Sequence, residues 1–184
     1  MTKEHFEILK EEYIGHITEY VKESGGLFPH ISIFAEEKDK TKSNKPALIH
    51  IPISDDFMDS EDGKDEFVEE ALPQISKKVN EMFDVYAIAW SSEAWMRMAD
   101  KPSDVKNWKS IPIKKEVIII TIETENDSDC ILYEIKRDGQ QVTSDGDLVD
   151  KIELIKAEES DGVKNVGGRF SGLLKLFKKR NKND

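Results

Sequence analysis

Two uncharged apolar runs constrain the fold of this chain more than any other feature. Residues 85–90 read VYAIAW, and residues 117–122 read VIIITI. Short apolar runs without a charge are typical of strands that are covered on both faces. We therefore predict that both runs are strands, and that residues 117–122 form the central strand of a sheet.

The N-terminal third predicts a helix followed by a hairpin. Apolar side chains at steps of three and four predict an amphipathic helix over 3–22, capped by Thr2 and ended by Gly25-Gly26. Its apolar stripe comprises Phe6, Leu9, Tyr13, Ile14, Ile17, Tyr20 and Val21. Alternating residues then predict an antiparallel pair of strands over 27–37 and 47–53.

Two further patterns complete the predicted order of elements. A second helix is predicted from Val68, Leu72, Ile75, Val79 and Met82, with Pro73 causing a kink or a division into two pieces. After the central strand, residues 130–136 are predicted to return as its hairpin partner. Asp138-Gly139 is predicted to form a turn, and residues 148–155 a last strand.

These elements predict an α+β fold. The short connections favour a two-layer sandwich, in which a mixed or mainly antiparallel sheet of about five to six strands carries two helices on one face. We predict one α+β domain over residues 1–156, a linker over 157–168, and a basic amphipathic C-terminal tail over 169–184.

Composition excludes several classes of protein. The single cysteine cannot form an intrachain disulfide, and no apolar run is long enough to span a membrane, so we expect a cytoplasmic protein. Residues 163–184 carry seven basic residues and one acid, a net charge of +6; since the whole chain is −11, residues 1–162 carry −17. An acidic body repels phosphates, which argues against direct nucleic-acid binding.

The loop predicted over residues 91–112 is the first candidate site. It carries Trp95 and Trp108 and begins beside Glu93, at the end of a strand, where functional groups are often found. Lys115 and Glu116 open the next strand and are expected nearby. This set could bind a small polar ligand, or it could be a salt bridge that anchors the loop.

Catalytic and cofactor motifs are not evident. The sequence has no defensible Ser-His-Asp or Cys-His arrangement, no phosphate-binding glycine loop and no zinc spacing, so no cofactor is expected. His30 and His50 on the hairpin would need a third ligand to define a metal site. Glu134-Ile135-Lys136 resembles the Glu-x-Lys strand of metal-dependent nucleases. A metal-dependent hydrolase or nuclease that uses Glu93, Glu116 or Glu134 together with His30 or His50 is therefore kept as an alternative.

A longer resemblance covers residues 27–125 through short motifs. SEAWM (92–96), a loop with Pro-Ser (102–103), and KKEVI (114–118) resemble a pattern in small uncharacterised proteins of phages and bacteria. The resemblance implies an α+β fold, a phage or bacterial origin and no particular activity. It also implies that Glu93, Trp95 and Glu116 act together.

The C-terminal tail is the second candidate site. Leu174, Leu176 and Phe177 lie in a basic context, and LKLF resembles the peptides that dock polymerases onto sliding clamps, although Leu173 replaces the usual leading glutamine. The tail could instead lie on an anionic membrane, fold back on its own domain, or have no role.

The leading functional hypothesis is a non-enzymatic interaction or accessory protein. It would bind protein partners, a sliding clamp or another replication protein among them, through the loop 91–112 and the tail. An acidic inhibitor that mimics DNA is the alternative suggested by the acid-rich segment 54–70 and the −17 body. The sequence does not define an oligomeric state.

Overall fold

A computed structural model describes residues 2–39, 46–97, 113–125, 128–160 and 173–178 of the chain. A π-helical turn over Phe67–Ala71 joins the third helix to the fourth. The elements, in chain order, are α1 (Lys3–Ser24), β1 (His30–Glu37), β2 (Pro46–Pro52), α2 (Asp55–Met58), α3 (Glu61–Glu66), α4 (Leu72–Met82), β3 (Phe83–Arg97), β4 (Ile113–Glu123), β5 (Ser128–Val142), β6 (Leu148–Ser160) and α5 (Leu173–Lys178).

The described strands form one sheet of six in the order β2-β1-β3-β4-β5-β6. Every neighbouring pair is antiparallel. This confirms the α+β class and a six-stranded, antiparallel sheet. The run predicted as the central strand lies in β4, one of the two strands at the middle of the sheet.

Helix α1 follows the predicted periodicity closely. The Thr2 hydroxyl accepts a hydrogen bond from the His5 N–H at the N-terminus, and Gly25 ends the helix with a φ of 75°. A side chain at Gly25 is also excluded by space, because a Cβ there would lie 2.8 Å from Val149 Cβ in β6. The buried stripe comprises Phe6, Leu9, Tyr13, Ile17 and Val21, whereas Tyr20 is exposed.

The sheet curls around α1 as a half-barrel. Tyr13 contacts Phe34 in β1 and His50 in β2, whereas Lys10 on the same helix pairs with Asp129 in β5. Helix α1 also packs against β6, the opposite edge. A flat six-stranded sheet would be about 24 Å wide, roughly twice the diameter of a helix. One helix can therefore reach both edges only because the sheet curves towards it.

The helices lie on both faces of the sheet, so the predicted two-layer arrangement with two helices on one face is not what the structure has. On the concave face, which holds α1, Phe34, Ala87 and Ala89 belong to the α1 core. On the outer face, Ile33 and Ile88, one position away from them, pack with residues of α4 and α5. Both faces of β1 and β3 are apolar, and each face therefore needs a cover.

Helix α5 completes the outer core. Leu174 and Phe177 are 4% and 3% exposed. The Ser76 hydroxyl donates to the Leu176 carbonyl at 3.1 Å, and the Asn80 side-chain amide donates to the Phe177 carbonyl at 2.7 Å. Residues 173–178 therefore fold back onto the body, as one of the alternatives for the tail proposed. Strand β6 continues to Ser160, into the predicted linker, and residues 161–172 lie outside the described ranges.

Two predicted loops are strand in the structure. Residues 91–97 continue β3 instead of starting the loop 91–112. Asp138-Gly139 lies inside β5, where the register with β6 shifts between Arg137 and Gln140, so it forms a bulge and not a turn. The predicted division of the second helix matches the π-helical turn that precedes α4, with Pro73 in the first turn of α4.

We expect the buried side chains of α5 to stabilise the whole domain. Leu174→Ala or Phe177→Ala should lower the free energy of unfolding by about 2–4 kcal/mol, because each removes buried apolar contacts. Lys175→Ala, an exposed neighbour on the same helix, is the matched control and should change it by less than about 0.5 kcal/mol. Urea unfolding measures both. Equal effects from Leu174→Ala and Lys175→Ala would show that α5 is not packed as described.

Candidate binding site at the open end of the half-barrel

Four charged side chains meet at the C-terminal end of α1. They come from four consecutive strands of the sheet, and they form what we call the Arg137 cluster: Glu93 (β3), Glu116 (β4), Arg137 (β5) and Asp150 (β6). Alternation places them on the concave face, since Glu93, Glu116 and Arg137 each lie two residues from a position of that face.

Arg137 is the centre of this cluster. Its Nε and Nη2 donate to the two carboxylate oxygens of Glu116, at 3.0 and 2.6 Å. Its Nη1 donates to Asp150 at 3.1 Å and to the Gly25 carbonyl at 2.8 Å, and Nη2 also reaches Glu93 at 3.5 Å. A guanidinium has five N–H groups, and five contacts use them. Hydrogen bonding to Glu116 above all raises the pKa of Arg137, which therefore stays charged.

Glu93 connects the cluster to the turn between α1 and β1. Its Oε1 accepts a hydrogen bond from the Leu27 N–H at 2.7 Å. Gly26 allows this approach, because a Cβ there would lie 3.1 Å from Oε1. Burial raises the pKa of Glu93, while the Leu27 N–H and Arg137 act in the opposite direction. The Glu93 carboxylate therefore lies in a place that disfavours its charged form.

A pocket of about 260 Å³ opens beside Glu93. Its other lining residues are Ser24, Gly25, Gly26, Leu27 and Phe28. Phe28 is 62% exposed, and Trp95 is 66% exposed. Trp95 lies two residues after Glu93 on the same face of β3, about 7 Å along the strand, and is paired in register with Glu116. Two exposed aromatic side chains thus lie near one half-buried carboxylate.

The structure distributes the predicted site residues over three places. Glu93, Trp95 and Glu116 come together on the concave face, as described above. Lys115 bonds to Glu134 instead, on the outer face, because neighbours in a strand point to opposite sides. Trp108 lies outside the described residues.

The predicted residues of the tail lie in α5, away from this end of the sheet. Leu174 and Phe177 are buried and Leu176 is half-buried. Sequence reasoning missed Arg137, although it continues the alternation of Ile131, Tyr133 and Ile135 on the concave face. That alternation could have placed Arg137 on the concave face. The local sequence, however, did not indicate that Arg137 has partners on three other strands.

The Ser32 hydroxyl lies 2.8 Å from His50 Nδ1, the distance of a nucleophile and its base, but Ser32 is fully buried. No group of three or more His, Cys, Asp or Glu side chains in the described ranges could hold a metal ion. Hydrogen bonding from Lys115 lowers the pKa of Glu134, which makes the two a surface ion pair.

Comparisons with known proteins add no assignment. No protein-family model matches the chain, and no curated protein or solved structure shows significant similarity to it. Among the helices described, none combines the length and apolar character that crossing a bilayer requires.

Removing Arg137 should destabilise the protein more than its exposure suggests. Arg137→Ala leaves Glu93 and Glu116 close together without a counter-charge, so we expect the free energy of unfolding to fall by about 2–4 kcal/mol. Lys136→Ala removes the exposed neighbouring cation and should change it by less than about 0.5 kcal/mol. Thermal and urea unfolding of both variants would test this. If Arg137→Ala behaves like Lys136→Ala, the cluster does not hold the strands together.

Proposed function

We propose that this protein is an interaction protein that binds a basic segment of a partner protein at the open end of its half-barrel. The binding area, which we call the Phe28–Trp95 surface, comprises Phe28, Glu93, Trp95 and the pocket between α1 and β3. The observation that carries the proposal is the exposure of two large aromatic side chains near a carboxylate whose burial is unfavourable.

The aromatic side chains supply the apolar part of the surface. Trp and Tyr are over-represented among the residues that dominate binding energy at protein interfaces, and contiguous exposed apolar area often marks an interaction site. Phe28 and Trp95 expose more than half of their area, whereas five other phenylalanine and tryptophan side chains of the described residues are buried: Phe6, Phe34, Phe67, Trp90 and Phe177. Their exposure supports a partner that covers them.

The charge of the surface supports a basic partner. Three carboxylates surround Arg137, whose five N–H groups are already used within the protein, so the cluster keeps a net charge of −2. A lysine or arginine of the partner could place its aliphatic stem on the aromatic rings and its charge beside Glu93. The −17 charge of residues 1–162 would attract such a segment from a distance.

The protonation of Glu93 gives a second line of support. Because its folded pKa is raised, Glu93 contributes stability below its unfolded pKa and loses that contribution as the pH rises through the folded value. Burial of the charged carboxylate therefore opposes folding. A side chain that opposes stability in this way is typical of a functional position.

The other predicted partner surfaces are less accessible or fall outside the described structure. Most of the loop 91–112, from residue 98 onwards, lies outside the described ranges, beside the strand end that carries Trp95. The tail can offer Leu174 and Phe177 to a clamp or other partner only after α5 leaves the body, since both side chains are buried there. We therefore place the primary surface at Phe28 and Trp95.

DNA mimicry is the second candidate function. Helices α2 and α3 and their connection expose acids at positions 56, 59, 61, 62, 65 and 66. This candidate predicts salt-sensitive capture of a DNA-binding protein that depends on these acids and not on Trp95. Binding that survives Trp95→Ala but is lost when those acids are neutralised would favour mimicry over our proposal.

Selection from a peptide library tests the proposed surface directly. Selection of random peptides on the full-length protein should enrich Lys or Arg next to apolar residues. Trp95→Ala and Phe28→Ala should each weaken the selected peptide at least about tenfold, since both remove aromatic contact area. Met82→Ala is the matched control, because Met82 is similarly exposed at the end of α4. No enrichment of basic peptides, or equal binding by all three variants, would contradict the proposal.

Glu93→Gln should separate binding from stability. The amide keeps an acceptor for the Leu27 N–H and removes the disfavoured charge, so the midpoint of urea unfolding at pH 7 should stay the same or rise. Affinity for the basic peptide should fall about three- to thirtyfold, because a charge-assisted contact is lost. A large loss of stability, or unchanged affinity, would show that Glu93 is only structural.

A further inference from the structure

Three of the four histidines of this chain gather around one buried tyrosine. His16 is on α1, His30 on β1 and His50 on β2, and Tyr13 on α1 packs between the last two. The ring centroids lie 5.6 Å apart for His16 and His50 and 6.0 Å apart for His30 and His50. Tyr13 lies 6.2 Å from His30 and 6.0 Å from His50. We call these four residues the histidine clasp.

A neutral His30 satisfies the hydrogen bonds of the clasp. Its Nδ1 lies 3.0 Å from the Phe28 carbonyl, which can only accept, so Nδ1 carries the proton. Nε2 of the neutral ring is then an acceptor for the Tyr13 hydroxyl at 3.3 Å, and Tyr13 in turn accepts from the buried Ser91 hydroxyl. A second proton on His30 would put a donor against Tyr13 and reverse this chain.

The clasp joins an edge strand to the central helix. Strand β2 pairs only with β1 in the described sheet, and His50 faces α1 from it. His50 also bonds to the Ser32 hydroxyl on β1. Aromatic contacts from Tyr13 and His16 therefore fix the hairpin of β1 and β2 to α1, on one side of the half-barrel.

We propose that the histidine clasp is a pH-sensitive packing contact. It holds the β1–β2 hairpin against α1 at neutral pH, and this contact weakens when the imidazoles are protonated. The clasp changes the stability of the domain, and this effect does not depend on the partner proposed above. Its effect is a weaker attachment of the edge hairpin at mildly acidic pH.

The surrounding groups supply no counter-charge for protonated imidazoles. Tyr13 and His16 face His30 and His50 from α1, the two histidines face each other from β1 and β2, and Ser91 is the neutral group from β3. Within the described residues no carboxylate lies in ion-pair distance of the three rings. The nearest acids along α1 itself, Glu12 and Glu19, flank His16 on the exposed side. Each added proton therefore increases repulsion inside the cluster.

The direction of the pH effect follows from the titration of His30 and His50. Burial lowers the pKa of both, and His16 lowers each further by charge repulsion. The unfolded chain then binds more protons than the folded one below the ordinary histidine value of 6.5. The contribution of His30 and His50 to the free energy of unfolding is therefore fully present above pH 6.5. It is lost as the pH falls through the pKa values that the two histidines have in the folded protein. Glu93 has the opposite sign, since its raised pKa favours the folded state at low pH.

Urea unfolding of the full-length protein between pH 7.5 and 5.5 tests the clasp. The ratio of folded to unfolded protein should fall by roughly threefold or more over this range. His50→Gln keeps a partner for Ser32 without a titrating ring and should reduce the fall. His16→Gln, at an exposed position of α1, should also reduce it. His5→Gln, outside the clasp, is the matched control and should behave like the parent protein.

An NMR titration of the imidazole C–H signals gives a second measurement that needs no variant to fold. His30 and His50 should titrate below the ordinary histidine value of 6.5, and the signals of β2 should change as they do so. The proposal is overturned if His30 and His50 titrate at or above 6.5, or if the parent, His16→Gln and His5→Gln proteins share one pH dependence.

Discussion

The structure depends on the burial of one helix stripe in the concave face of one sheet. Tyr13 lies at the centre of that contact: it is fully buried and packs on Phe34 and His50, and its hydroxyl bonds to Ser91 and His30. Burial raises its pKa to about 12, so the ring stays neutral and its hydroxyl remains a donor. Because α1 reaches strands at both edges, its burial sets the curvature of the whole sheet.

That curvature brings charged side chains of four strands to one end of the half-barrel. Arg137 joins Glu93, Glu116 and Asp150 to the carbonyl of Gly25, which ends α1, and this fixes the turn that carries Phe28. The Arg137 cluster, which stabilises this end, and the exposed side chains of Phe28 and Trp95 are therefore adjacent but distinct. Arg137 is satisfied internally, whereas the aromatic side chains remain available to a partner.

Much of the fold, and part of the site, could be predicted from local patterns. The helix over 3–22 and the apolar runs followed from periodicity. Only two members of the predicted stripe differed: Tyr20 is exposed and Ile14 is half-buried. The arrangement of the helices on both faces was missed, although the run 85–90 already indicated strands covered on both sides. Residues 91–97 were predicted as a loop because serine and glutamate favour strands weakly; Ser91 and Glu93 are held there by distant partners. The role of Arg137 depends on contacts far apart in sequence, which no local pattern encodes.

Native-state hydrogen exchange tests the central claim most directly. If α1 and the sheet form one cooperative unit, the amides over residues 13–21 should exchange with the same free energy as those over 118–122, equal to that of global unfolding. Amides of α1 that exchange through a much smaller free energy, while those of β4 remain protected, would show that the sheet stands without the helix and would contradict this account.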